Sequence, residues 1–279
     1  KKILPLVLSM SLPMVLSMLV NSLYNIIDSY FVAKISENAM TALSLVYPLQ
    51  ILINAVAVGL GIGLNTAASF YLGAQNHEKA DDAASLGMVL SVIHGLVLTF
   101  ICILIVPSFL HLFTQDEAII SYALTYSYIV FAFTTPITIS IAMEKVFQAE
   151  GQMVITMTTM LCGCITNIIL DPIFIFGLGP VPEMGIAGAA WATGIGQIVP
   201  MVLYFIIYLK KPLPLRLRIR KGMFNRKLYG RIYGVGIPAA LNMALPSLMI
   251  TALNGILASF SAVYVLVLGI YYKLQTFIY

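Results

Sequence analysis

The chain has 279 residues, of which 60% are hydrophobic and 9% charged, and its mean hydropathy of +0.97 excludes an ordinary soluble domain and a disordered chain alike. A net charge of +4 invites a nucleic-acid reading, yet nine of the fifteen Lys and Arg lie between Lys210 and Arg231, in one segment flanked by apolar runs. Membrane topology accounts for that cluster, so the expected class is an all-α, polytopic integral membrane protein in a lipid bilayer, with no nucleic-acid partner.

At about twenty apolar residues per crossing, the pattern predicts spans near 4–33, 41–66, 83–106, 118–142, 154–176, 186–209 and 232–258, and an eighth beginning near 262. The first apolar run is far longer than the core of a cleavable signal peptide, so no cleaved leader is expected. Within it, Asp28 puts a carboxylate among some thirty uncharged residues. Burying an acid in hydrocarbon costs at least about 2.5–3.5 kcal/mol, so such a residue marks a polar cavity and a functional site. Asn21, Asn25 and Asp28 follow one helical face while Leu19, Leu23, Ile26 and Ile27 take the other, so the polar stripe should look inward.

Later spans add to this stripe. Tyr24, Tyr47, Gln50, Asn54 and Tyr126 give a cavity polar points on an aromatic and aliphatic wall, suited to bulky amphipathic cations. The fifth span carries a second acid, Asp171, with Asn167 one turn earlier on the same face. Each acid lies near the outer end of a span running in the same direction, so the two should sit at similar depth. If they face each other, a proton or a cation such as Na⁺ relieves their repulsion and desolvation, which makes a coupling-ion site. Thr193 in the sixth span lies at a comparable depth, although its Gly/Ala-rich surroundings equally suit helix packing. Pro13, Pro48, Pro136, Pro200, Pro238 and Pro246 all fall inside spans, where proline kinks a helix. Pro13, on the helix of Asp28, is the best placed to act as a hinge. His94, mid-span in the third helix, is expected to make a packing hydrogen bond. Glu144 beside Lys145, at the inner end of the fourth span, reads as a solvated surface pair. Cys162 and Cys164 point away from each other on a helix, so neither a disulfide nor a metal site is expected.

The connections predicted on one side carry almost no cation, while the other side has Lys1, Lys2, Lys79, Lys145 and the 210–231 cluster. The N-terminus and that loop are therefore expected in the cytoplasm. Sliding the chain by 225 residues aligns Pro13 with Pro238, Ser22 with Ser247, Ala33 with Ala258, Ser36 with Ser261 and Gln50 with Gln275. The repeat unit holds six spans, an even number, so its copies run in parallel and enclose a cavity between halves, a transporter architecture. The domain reading is a six-helix N-lobe at 1–209, a basic cytoplasmic inter-lobe loop at 210–231, and the start of a C-lobe at 232–279. The chain thus reads as a truncated twelve-helix transporter, either a fragment or a product that needs a partner. No P-loop, zinc-ligand spacing or nucleophile with a base is present, so neither an enzyme nor an ATP-driven pump is expected.

PMVLSMLVNSLYNIIDSYFVAKI in the first span, FQAEGQ after the fourth, NIILDPIFIFGLGPVPEMGIAGAAWAT over the fifth and sixth, and GIPAALN opening the seventh together resemble the multidrug and toxic compound extrusion (MATE) family, in its DinF-like prokaryotic branch. The resemblance implies cation-coupled antiport across the plasma membrane, with H⁺ or Na⁺ entering while drug-like, often cationic compounds leave. No cofactor beyond that ion is implied, and the full-length protein is expected to be a monomer. It further implies that Asp28, Asn167 and Asp171 form the ion or proton site, Na⁺ included, with Thr193 as a further ligand and Pro13 as the bend point of the first helix. Glu144 and Lys34 depart from the residues more usual at those positions in the family. The rival readings are a lipid or lipid-linked oligosaccharide flippase of related fold, which should place cations in the cavity where the first six spans have none, and a truncated, non-transporting membrane protein.

Overall fold

The computed structural model describes residues 3–211 and 213–278, with the side chains of Ile3, Leu6, Lys221, Lys273 and 276–278 left out. Among the described residues the chain is helical throughout: α1 (Ile3–Ala33), α2 (Glu37–Gly73), α3 (His77–His111), α4 (Glu117–Ala132), α5 (Thr134–Ala149), α6 (Met153–Phe176), α7 (Ile186–Lys210), α8 (Arg226–Ala258) and α9 (Ala262–Ile278), with one 3₁₀ turn at Lys221–Met223. Six of these helices are long and apolar enough to cross a membrane, and α4 with α5, bent at the break between them, makes a seventh if the pair is one crossing. The protein is therefore a multi-pass membrane protein.

Several helices start earlier than hydropathy alone predicts, because their first turns are polar and set by capping side chains. Ser36 accepts from the Ala39 N–H at 3.0 Å and Asn76 from the Lys79 N–H at 3.1 Å. Asn225 accepts from the Lys227 N–H at 2.9 Å. Each meets one of the donors that a helix start leaves open. The last six residues of the predicted 210–231 loop consequently belong to α8.

The fourth predicted span, 118–142, is a correction. It divides at Phe133 into α4 and α5, bent by 46°, with Phe133 itself at φ −87°, ψ 1°. Pro136 explains the position of the break: it has no N–H to give, and its ring clashes with a helical carbonyl four residues back. The Phe133 ring then seats where Gly194 of α7 leaves no Cβ. The other prolines produce no break; α1, α2, α7 and α8 run as single helices through Pro13, Pro48, Pro200, Pro238 and Pro246.

The helix ends repeat at the spacing found in the sequence. α1 ends at Ala33 and α8 at Ala258, while α2 begins at Glu37 and α9 at Ala262. α8 packs closely along α2 through small residues, with Gly59 against Ala240, Gly63 against the Ile232 backbone and Gly236 against the Gly59 carbonyl. Such residues let backbones approach in a setting that lacks a hydrophobic drive between helices. Ser247 adds a bond from its hydroxyl to the Pro48 carbonyl at 2.7 Å.

The basic segment between α7 and α8 is strapped down. Leu213 and Leu215 are buried, while the backbone N–H groups of Leu215, Arg216, Leu217 and Arg218 donate to Glu150, Asp81, Tyr208 and Ser85 at 2.6–2.8 Å. Arg220 pairs with Glu78 and Asp82.

Candidate functional site

A cavity of about 500 Å³ opens between α1, α2, α4, α5, α6 and α7, and Met243 of α8 touches it. Asn21, Tyr24, Asn25, Asp28, Tyr47, Gln50, Asn54, Tyr126, Asn167 and Thr193 all line it. The polar stripe predicted for the first span thus faces inward, and Leu19 and Leu23 face outward, 47% and 42% exposed. Helical periodicity is sufficient for this division, since a run of polar groups four and three residues apart has only one face on which to lie.

The cavity has two polar ends. At the first, Asp28 (5% exposed) on α1 and Asp171 (fully buried) on α6 lie within Coulombic reach of each other. Asp171 does not line the cavity; it stands behind Asn167, which does. With its amide oriented to satisfy both ends, Asn167 donates to Asp171 Oδ2 at 3.2 Å and accepts from the Thr193 backbone N–H at 3.2 Å. That one side chain ties α6 to α7 and supplies the buried carboxylate with a donor. Gly196, one turn on from Thr193, leaves room for the Asn167 Cβ. Tyr126 accepts from Gln50 Nε2 at 3.2 Å. The charged and hydroxyl groups at this end are oxygens (the Asp28 carboxylate and the Thr193 and Tyr126 hydroxyls at the cavity, with the Asp171 carboxylate behind the Asn167 amide), a set that suits a hard cation or a proton. Among the described residues no group of three or more His, Cys, Asp and Glu is placed to hold a metal ion.

At the second end, Glu144, Lys145 and Gln148 of α5 close a ring. Lys145 Nζ donates to Glu144 Oε1 at 3.0 Å and to Gln148 Oε1 at 2.9 Å, and Gln148 Nε2 donates to Glu144 Oε1 at 2.6 Å. Tyr204, stacked on Phe147 and bonded to the Thr156 carbonyl at 3.4 Å, borders the same end. Thr156 and Asn167 are eleven residues apart on α6, as are Thr193 and Tyr204 on α7. At 1.5 Å per residue the two ends are about 16 Å apart.

The model of the family described as MatE matches residues 13–173, more than half of the chain. The chain belongs to the MatE family. Among the similar proteins of this MatE chain are the multidrug export protein MepA of Staphylococcus haemolyticus, 27% identical over 268 residues, and that of Staphylococcus aureus strain MRSA252, 29% identical over 275 residues. In each case the match takes in 96% of this chain but 58% of the relative, so the chain spans little more than half the length of these curated proteins. Its fold is similar to that of a multidrug resistance MATE family transporter solved in an inward-facing conformation, with TM-score 0.82 and 27% identity over 95% of this chain and 60% of the other. It is also similar to a MATE solved in a bent conformation, with TM-score 0.78 and 29% identity over 85% and 52%.

Two expectations for the MatE chain need correcting. Glu144 and Lys145 are not a solvated surface pair, since their side chains are 20% and 13% exposed and both line the cavity. Nor is the cavity free of cations, because Lys145 lies in its wall; its charge is met by Glu144, however, so it forms no open anion site. The signal was available in the sequence: Ile137, Ile141, Glu144 and Gln148 share one helical face and all line the cavity, the same periodicity that singled out Asn21, Asn25 and Asp28. His94 behaves as expected, bonding the Leu90 carbonyl through Nδ1 at 2.8 Å and facing the Tyr233 hydroxyl at 3.4 Å. Pro13 is buried in an unbroken helix, its carbonyl accepting from the Ser17 hydroxyl at 2.8 Å.

Proposed function

We propose that this MatE chain is the N-lobe and first C-lobe helices of a cation-coupled multidrug antiporter of the prokaryotic plasma membrane. H⁺ or Na⁺ drives the export of organic, often cationic compounds. Its divisions follow the basic segment: N-lobe 1–209, inter-lobe loop 210–231, C-lobe from 232, with the N-terminus in the cytoplasm and the complete protein a monomer. The observation that carries this reading is the meeting of Asp28, Asn167 and Thr193 at one end of the cavity, with Asp171 buried behind Asn167 and within Coulombic reach of Asp28. Two carboxylates close together in a low-dielectric pocket repel each other, and a proton or cation that relieves the repulsion couples ion binding to the state of the cavity.

Loading Asp28 and Asp171 removes their repulsion, lets α1 bend near Pro13 and narrows the cavity, so that substrate is released outside. Substrate groups meet Asn21, Tyr24, Asn25, Tyr47, Gln50, Asn54 and Tyr126, where phenol faces attract organic cations. The names of the MepA relatives support the export reading, and the oxygen groups at that end support an ion such as H⁺ or Na⁺. The test is ethidium efflux from proteoliposomes holding the full reading frame, under an imposed pH or Na⁺ gradient, with wild type beside Asp28→Asn. Gradient-dependent efflux that the substitution abolishes is expected. Folded wild-type protein that moves no ethidium under either gradient overturns the proposal.

A further inference from the structure

We infer that Glu144 forms a second cation subsite in the cavity, one that Lys145 occupies as a built-in competitor and that accepts only cations bearing N–H groups. This rests on the export reading and adds a rule of selectivity to it.

The seat of Lys145 is shaped by another helix. Gly61 of α2 lies where any Cβ would come within 2.8 Å of Lys145 Cγ, and Asn65, one turn further along α2, donates to the Lys145 carbonyl at 3.0 Å. The stem therefore runs over α2 into the cavity wall, and the ammonium ends on Glu144 and Gln148. An intramembrane acid with a named partner in a cavity is a functional site by default, and the Asp28 end, about 16 Å away, does not use this one.

The ring has a way to open. Lys145 already shares its donors between Glu144 and Gln148, at 3.0 and 2.9 Å, so it can give up Glu144 while keeping Gln148. Glu144 Oε1 then loses one N–H donor. A half-desolvated carboxylate left short of a donor is costly, so the entering cation must bring an N–H to the same oxygen. A protonated amine or an amidinium does this. A quaternary ammonium has no N–H and cannot; it is left to the phenol faces of Tyr24, Tyr47 and Tyr126, where no hydrogen bond is required. The subsite thus separates two classes of organic cation by hydrogen bonding rather than by charge.

The experiment is equilibrium binding to the purified full reading frame in nanodiscs, followed by ligand fluorescence, with monodansylcadaverine (a primary ammonium) and its trimethylammonium analogue as a matched pair. Removing the competitor with Lys145→Met should tighten the primary ammonium by about five- to tenfold and move the quaternary analogue less than about twofold, since a pair at this depth is worth roughly one decade. Lys145→Arg, which restores a resident cation, should return both to wild-type values. Glu144→Gln should weaken the primary ammonium by about five- to tenfold and leave the quaternary analogue within about twofold, and it carries the test if Lys145→Met does not fold. Equal shifts for both ligands, or none for the primary ammonium, overturn the inference while the export reading stands. Failure of folded wild type to bind either ligand overturns the export reading, and the inference with it.

Discussion

At one end of the cavity two carboxylates, Asp28 and Asp171, meet an amide, a hydroxyl and a phenol; at the other, Glu144 is answered by Lys145 at 3.0 Å. Both ends are built on helices of one bundle and both put acids where hydrocarbon surrounds the protein. The difference lies in what each acid faces: another carboxylate at one end, an ammonium at the other. Where acid meets ammonium, as at Glu144, the pair is stable without a ligand. Where acid meets acid, as at Asp28 and Asp171, a proton or a cation relieves the repulsion, which is the basis of the coupling proposed above.

The largest expected effect breaks this contrast at the acid end. In proteoliposomes, Asp28→Asn should lower gradient-driven ethidium efflux at least about tenfold, whereas Glu144→Gln should lower it less than about threefold, because only the first breaks the pair of acids proposed to take up the coupling ion. Comparable losses in the two variants would dissolve the distinction. Next comes the scaffold of that end. Asn167→Ala leaves the fully buried Asp171 without its amide donor and unties α6 from α7, a loss of about 1–3 kcal/mol that thermal unfolding in detergent should register. Gly196→Ala, whose new Cβ would stand 2.9 Å from the Asn167 Cβ, should cost a similar 1–3 kcal/mol or so by overpacking.

At the paired end the expected losses are smaller. Glu144→Gln alone strands the Lys145 ammonium and should destabilise by about 1–2 kcal/mol, while the double change Glu144→Gln with Lys145→Met should recover most of that in the same unfolding measurement. The least effect is expected outside the membrane, at Glu150, which holds the basic strap. Burial pushes its carboxyl up, as does Asp81, while the Leu215 N–H and Lys211 pull it down; its Oε2 is buried with no hydrogen-bond partner. A raised folded-state value means that the stability this carboxyl adds is present at low pH and lost as pH rises through that value. Glu150→Gln keeps an oxygen for Leu215, so it should raise the Tm slightly at neutral pH, with the gain shrinking as the pH falls toward 4.5, the usual value of the group. A gain that grows on acidification would contradict this sign.

Much of the acid end was legible in the chain. An acid in a long apolar run is rare enough to stand out, and the 3.6-residue period then assigns its face, so Asn21, Asn25 and Asp28 could be placed together before any neighbour was known. Asn167 and Asp171 followed from the same count on another helix. The paired end was not read, because Glu144 next to Lys145 near the end of a span has the local appearance of a surface pair; nothing within α5 reveals that Gly61 and Asn65 wait on α2. The break at Phe133 was equally hidden. Pro136 marks a kink, but the place where the chain yields depends on the gap that Gly194 leaves across the bundle.

Composition and period alone determined that this chain is a bundle of membrane helices, how its polar stripes divide inside from outside, and that its eighth helix repeats its first. Those properties come from local chemistry: hydrocarbon rejects charge, and a helix repeats every 3.6 residues whatever packs against it. Only the tertiary structure decided that Glu144 and Lys145 pair inside the cavity wall, that Asn167 stands between Asp171 and the cavity, and that a basic linker lies strapped across α3 and the end of α5. Those outcomes depend on residues brought together from distant parts of the chain, and a single sequence carries no record of which distant groups will be neighbours.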